Sequence, residues 1–237
     1  GDIFLYMGDL KKAEEEYKKL QERKEPVVYV WSLQRLGGLY RLQGRFKDFR
    51  KLGQESLEHA ERLGQKTWIR NIIGGLSYVE LRSGNYDRAL ELLNKRWNSA
   101  VEDEDFSSQR DTLFRMGLTY LEMKSINEAQ KTADRLKKMI EQAMNKKLIR
   151  SYYSLKGMIE LEKNNYSKAI EFFKKTLPLL SATSSSRLPN AFFTGLAYYK
   201  AGDLENARQE YERVIPLTTG RQASGDLYSK SFYMLGI

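Results

Sequence analysis

The side chains that carry most enzyme chemistry are nearly absent from this chain. Its 237 residues include no cysteine and one histidine, His59. That excludes disulfides, thiolate nucleophiles, multi-histidine metal sites and a paired-histidine acid–base couple. His59 lies between Glu58 and Ala60 near the expected end of a helix, where a cation complements the helix dipole. Four carboxylates run from Glu102 to Asp105, without the alternating ligands and glycine of a calcium loop. The glycine pairs 37–38 and 74–75 lack the spacing of a phosphate cradle and read as close helix contacts. Lys131, Arg135, Lys137, Lys138, Lys146, Lys147 and Arg150 form a basic run, but Glu128, Asp134 and Glu141 interrupt it. No aromatic residues interleave for base stacking, so the run reads as a solvated helix face and nucleic acid is a disfavoured partner. No metal, cofactor or catalytic centre is expected.

The elements that hold these residues are helices. Hydrophobic residues make up 41% of the chain and charged residues 30%, with a formal net charge of +9, a composition suited to a soluble protein. The longest apolar stretches, such as Pro26 to Trp31, fall far short of the roughly 20 residues that cross a bilayer. Prolines occur only at 26, 178, 189 and 216, leaving long segments free for helix. Apolar residues recur at helical spacing, as in Ala169-Ile170-Glu171-Phe172-Phe173, and no sustained alternation marks a strand. The expected class is all-α.

Comparison of the chain with itself gives the organisation. A glycine followed three residues later by tyrosine occurs at Gly37-Tyr40, Gly117-Tyr120 and Gly195-Tyr198. Twelve positions after each glycine stands Phe49, Ala129 or Ala207. Ser77 with Ala89, Gly157 with Ala169 and Gly1 with Ala13 share the frame, and Gly236 begins it again. Between the landmarks lies a turn, at Gly8-Asp9, Gly44-Arg45, Gly84-Asn85, Lys124 to Asn127, Asn164-Asn165 and Gly202-Asp203. Glycine or asparagine ends one helix there and the following Asp, Asn or Ser is expected to cap the next. Each unit is a helical hairpin, with repeats at 30–69, 70–109, 110–149, 150–187 and 188–228 and partial repeats at 1–29 and 229–237. Ser181 to Ser186 is expected to be a connecting loop.

These landmarks resemble tetratricopeptide repeats, most closely at Gly195-Leu-Ala-Tyr198, Gly202-Asp-Leu204, Ala207, Tyr211 and Pro216. The glycine and alanine are expected to let paired backbones approach while the next aromatic fills the groove beside them. Phe49 in place of the small residue, Glu80 and Glu160 in place of tyrosine, and a period near 40 against the usual ~34 depart from the pattern. The segment Leu217 to Gly236 resembles the last repeats of arrays appended to bacterial multidomain proteins, Ser/Thr kinases among them. Both termini fall inside a repeat, so the chain is expected to be a piece of a longer, bacterial regulatory protein, cytoplasmic, with uncapped ends that favour self-association.

The resemblance implies a right-handed α-solenoid of stacked antiparallel hairpins, whose first helices line a concave, non-catalytic surface for a protein or peptide. The family's groove positions, counted three before, two before and one after the packing glycine, give Gln34, Arg35 and Gly38; Gly74, Gly75 and Tyr78; Phe114, Arg115 and Leu118; Ser154, Leu155 and Met158; and Phe192, Phe193 and Leu196. Arg35, Arg41 and Arg115 with Tyr78 would engage carboxylates, and Leu155, Met158, Phe192, Phe193 and Tyr199 would supply apolar pockets. An acidic-hydrophobic peptide is the expected ligand. A structural spacer or self-assembly element is the alternative.

Overall fold

Helix length accounts for the long repeat. In this computed structural model, which describes residues 1–23, 25–217 and 221–236 and the side chains of all of these but Tyr6 and 221–225, five consecutive helices have 17 residues each. They are α3 (Pro26–Leu42), α4 (Phe46–Arg62), α5 (Lys66–Arg82), α6 (Tyr86–Glu102) and α7 (Phe106–Glu122). Helix starts therefore recur at 26, 46, 66, 86, 106 and 126, ahead of the repeat starts set at 30, 70 and 110. Before them stand α1 (Asp2–Tyr6) and α2 (Leu10–Gln21). After them come α8 (Ile126–Glu141), α9 (Arg150–Glu162), α10 (Tyr166–Thr176), α11 (Arg187–Lys200), α12 (Leu204–Val214) and α13 (Arg221–Leu235). In this stretch helices shorten, and 3-10 turns at Lys146–Ile149 and Leu177–Leu179 and a loop over 181–186 take up the difference. No strand occurs among the described residues. Thr218, Thr219 and Gly220 of the last expected segment lie outside them.

The chain divides into two compact units, residues 1–112 and 113–237. In the first, α2 to α6 pack each against the next in sequence. In the second, α9 pairs with α10 and α11 with α12, while α10 packs on α11 and α11 on α13. The tight turns place a left-handed residue at Gly44, Gly84, Lys124, Asn164 and Gly202, with φ between 60° and 83°. Asp9 and Asp203 cap the helices that follow, accepting from the backbone N–H of Lys12 and Asn206. Asn85 and Asn165, expected to cap, do not. Each donates its amide instead to the glutamate that replaced the family's tyrosine: Asn85 Nδ2 to Glu80 at 2.7 Å and Asn165 Nδ2 to Glu160 at 2.8 Å. Arg50 and Lys156 then neutralise those buried carboxylates at 2.6 and 2.7 Å.

The recurring glycine makes room for a side chain more than for a backbone. A Cβ on Gly157 would stand 2.5 Å from the Phe173 ring and one on Gly195 2.9 Å from Tyr211. The alanines twelve positions after the landmark, Ala89, Ala129 and Ala169, are fully buried. Phe49, where a small residue was expected, puts its ring under Gly37 and Gly75, 3.5 and 3.1 Å from a Cβ at each. Gly75 is thus the compensation for Phe49.

Opposite charges far apart in sequence bind neighbouring helices. Arg70, 4% exposed, reaches Asp103 at 2.5 Å and Asp105 at 3.1 Å, and Lys66 meets Asp103 at 2.6 Å. Asp103 and Asp105 of the acidic stretch are therefore counter-ions for α5. Arg96, also buried, donates to the Arg70 carbonyl and Thr112 Oγ1 and pairs with Asp111 at 2.8 Å.

Candidate functional site

In the first unit, one face of α3 is exposed at Val27, Trp31 and Arg35 and half-buried farther along. Val27 and Trp31 are 52% and 53% exposed, and Gln34, Arg35, Gly38 and Arg41 follow them at the three- and four-residue spacing of a single helix face. The Arg35 guanidinium lies 5.2 Å from the centre of the Trp31 ring and pairs with Asp2 at 3.3 Å. Arg41 stands over the Tyr78 ring of α5 at 5.4 Å, within reach of a cation–π attraction. Gln34, Gly38 and Arg41 from α3, Phe49 from α4, and Asn71 and Gly75 from α5 border a cleft of about 200 Å³. Gln34, Arg41 and Tyr78 are therefore neighbours here, although Arg35 makes its contacts with Trp31 and Asp2.

The second unit treats its set differently. Leu155 is fully buried, its Cδ atoms filling the space left by Gly117. Phe192 is 6% exposed, its ring centre 5.4 Å from that of Phe193 and 5.8 Å from that of Tyr211. Both are core residues, a correction to their expected place on a ligand-facing wall. Counting by helical turn finds a face but not which neighbour covers it. Met158 and Phe193 are half-buried against Ala169, Phe173 and Ala197, with Phe193 stacked on Phe173 at 6.3 Å, and Leu196 packs on the cluster around Leu188. Phe114, Arg115 and Ser154 are half-buried, and Arg115 already has a partner. Tyr199 is 47% exposed.

Sequence reasoning passed over Trp31 and Asn71, which sit one turn before the selected positions. Extending the same three-and-four spacing backwards along α3 reaches Trp31 and then Val27. It also missed the rings beside basic side chains: Lys137 of the basic run lies 5.7 Å from the Tyr152 ring and Lys175, outside that run, 5.5 Å from Phe172, with Tyr153 packed against both rings. His59 lies in the last turn of α4 and rests against Tyr29, ring centres 4.9 Å apart. Among the described residues no three His, Asp or Glu side chains gather to hold a metal, and no helix is long and apolar enough to cross a membrane.

Tetratricopeptide-repeat profiles match residues 29–96, 111–139, 151–177 and 194–215, one after another through both units. The chain belongs to the tetratricopeptide repeat family. Among curated proteins, none matches it by sequence. Solved structures match it throughout. NprR in complex with its cognate peptide NprX is 18% identical with a TM-score of 0.73 over 98% of this chain and 67% of its own. A Rap protein complexed with Competence and Sporulation Factor is 12% identical with a TM-score of 0.76 over 92% of this chain and 61% of its own. The apo form of RapI is 16% identical with a TM-score of 0.72 over 99% and 93%. At such identities these likenesses define the fold, an all-helical tetratricopeptide array.

Proposed function

We propose that this tetratricopeptide array is a non-catalytic binding module that holds a protein segment or peptide on the exposed faces of its first helices. The observation that carries the reading is one face of α3, where Val27 and Trp31 stand more than half exposed in line with exposed Arg35 and half-buried Gln34 and Arg41. A large aromatic beside guanidinium groups is the composition of an interface hot spot. Support comes from the likeness in fold to NprR, solved in complex with its cognate peptide NprX, and to a Rap protein complexed with Competence and Sporulation Factor. An acidic ligand with apolar side chains suits Arg35 and Arg41. Phe114, Arg115, Ser154, Met158, Phe193 and Leu196 are the corresponding first-helix positions in 113–237, each half-buried. Screening a random peptide library against the whole chain tests the proposal. Peptides that bind it and lose at least about tenfold in affinity to Trp31→Ala with Arg41→Ala are expected, since hot-spot truncations cost about 2 kcal/mol or more each. Peptides bound equally by the double variant would move the site elsewhere.

A second reading, self-association through the outer helices, draws on Ile3 and Met7 of the first unit and Tyr233 of the second, each more than 70% exposed. Light scattering across concentrations separates the two, because a constant monomer mass removes the second.

A further inference from the structure

The cleft between α3 and α5 is bordered by a buried donor that the fold does not itself use. Its floor is the Phe49 ring, seen between glycines where side chains would otherwise stand: a Cβ added at Gly38 meets nothing within 4 Å. Its volume, about 200 Å³, exceeds the ~150 Å³ that accepts benzene in an engineered apolar cavity. Gln34 borders it, and the amide nitrogen of Gln34 is shut off from solvent with no acceptor. A buried donor left unpaired is costly, and the terminal torsion of glutamine is soft, so a small rotation offers this N–H to an entering carbonyl. Arg41 borders the same cleft and brings positive charge to it.

We propose that this cleft is a side-chain pocket that takes one bulky apolar side chain of an acidic peptide, with the peptide's main-chain carbonyl accepting from Gln34 Nε2 and an adjacent carboxylate drawn to Arg41. The proposal rests on the peptide-binding reading and assigns the pocket that reads its sequence. Charge complementarity selects the acidic neighbour, and the glycine walls select bulk: a small side chain would leave the Phe49 floor uncovered.

N-acetyl-L-phenylalanine carries the three groups in one small molecule and is the probe. Titrated into the isotope-labelled protein, it is expected to shift the Gln34 side-chain amide signals saturably in the millimolar range, as a ligand of its size should. Gly38→Leu fills the cleft from a position with room for it and is expected to weaken the probe at least about tenfold without loss of helix content. Gln34→Leu keeps a good helix former and is expected to cost about fivefold, the worth of one neutral hydrogen bond. Undisturbed Gln34 signals at saturating probe, or unchanged affinity in either folded variant, would overturn the pocket. Library peptides that bind the parent and Gly38→Leu equally would retire the pocket alone and leave peptide binding standing. A library yielding no ligand at all removes the peptide reading and the pocket's occupant together.

Discussion

Tyr211 shows what an array position costs when its polar atom has nowhere to go. Its ring fills the space above Gly195 and is 1% exposed, but its hydroxyl finds no partner, and burial pushes its pKa up to about 12. An unpaired buried hydroxyl carries its full desolvation cost. Tyr211→Phe keeps the ring and should stabilise the chain by about 0.5–1.5 kcal/mol in urea unfolding. Glu80 is the opposite case. The Arg50 hydrogen bond, aided by Asn85 and opposed by burial, holds its carboxyl below the usual glutamate range. A depressed pKa contributes stability that is complete above about pH 5 and fades as pH falls through the lowered value. Glu80→Gln should therefore cost about 1–3 kcal/mol at neutral pH, with the gap to the parent narrowing steadily on titration toward about pH 3. A gap that stays constant with pH would mean the carboxylate's charge is not what holds the pair.

At the scale of the element, the hairpin period was legible because small residues recur where helices pack closely, and the departures, Phe49 and Ser77 among them, are few enough to leave the register visible. What the glycines do was not legible. Gly157 spaced twelve residues from Ala169 looks like a small–small notch, whereas the atom facing it belongs to Phe173. Sequence spacing reports that room is needed and is silent on which neighbour fills it. Leu155 and Phe192 were misplaced for the same reason, because the packing of helices decides burial. The link from Arg70 to Asp103 spans thirty-three positions and is invisible to any local pattern. Gly157→Ala tests the corrected role: a methyl 2.5 Å from an aromatic ring forces Phe173 out of its rotamer, costing about 1–3 kcal/mol. If the glycine instead served only to loosen the helix, alanine would stabilise by about 0.5–1 kcal/mol, so the sign of the change in urea midpoint decides.

Over the whole molecule, charge is shared unevenly. Residues 1–112 hold 20 Lys and Arg against 19 Asp and Glu, while residues 113–237 hold 20 against 12, so nearly all of the net +9 lies in the second unit. There Lys137 and Lys175 stand beside Tyr152 and Phe172, a juxtaposition that invites comparison with single-strand binding platforms. The geometry argues otherwise. The lysines already lie over those rings, Tyr152 and Phe172 meet edge-on, and Glu141 and Glu171 pair with Lys137 and Lys175 at 3.5 and 2.5 Å. What is left for a polyanion is diffuse attraction, which counterion release makes steeply salt-dependent. Fluorescence anisotropy with a labelled single-stranded oligonucleotide should show binding at about 0.02 M salt that weakens beyond micromolar by about 0.15 M, with no preference among base sequences. Lys137→Glu with Lys175→Glu should lower the low-salt affinity and its salt slope together. Submicromolar, base-selective binding at the higher salt would mean that the rings open to stack bases, and would make nucleic acid the partner of this unit.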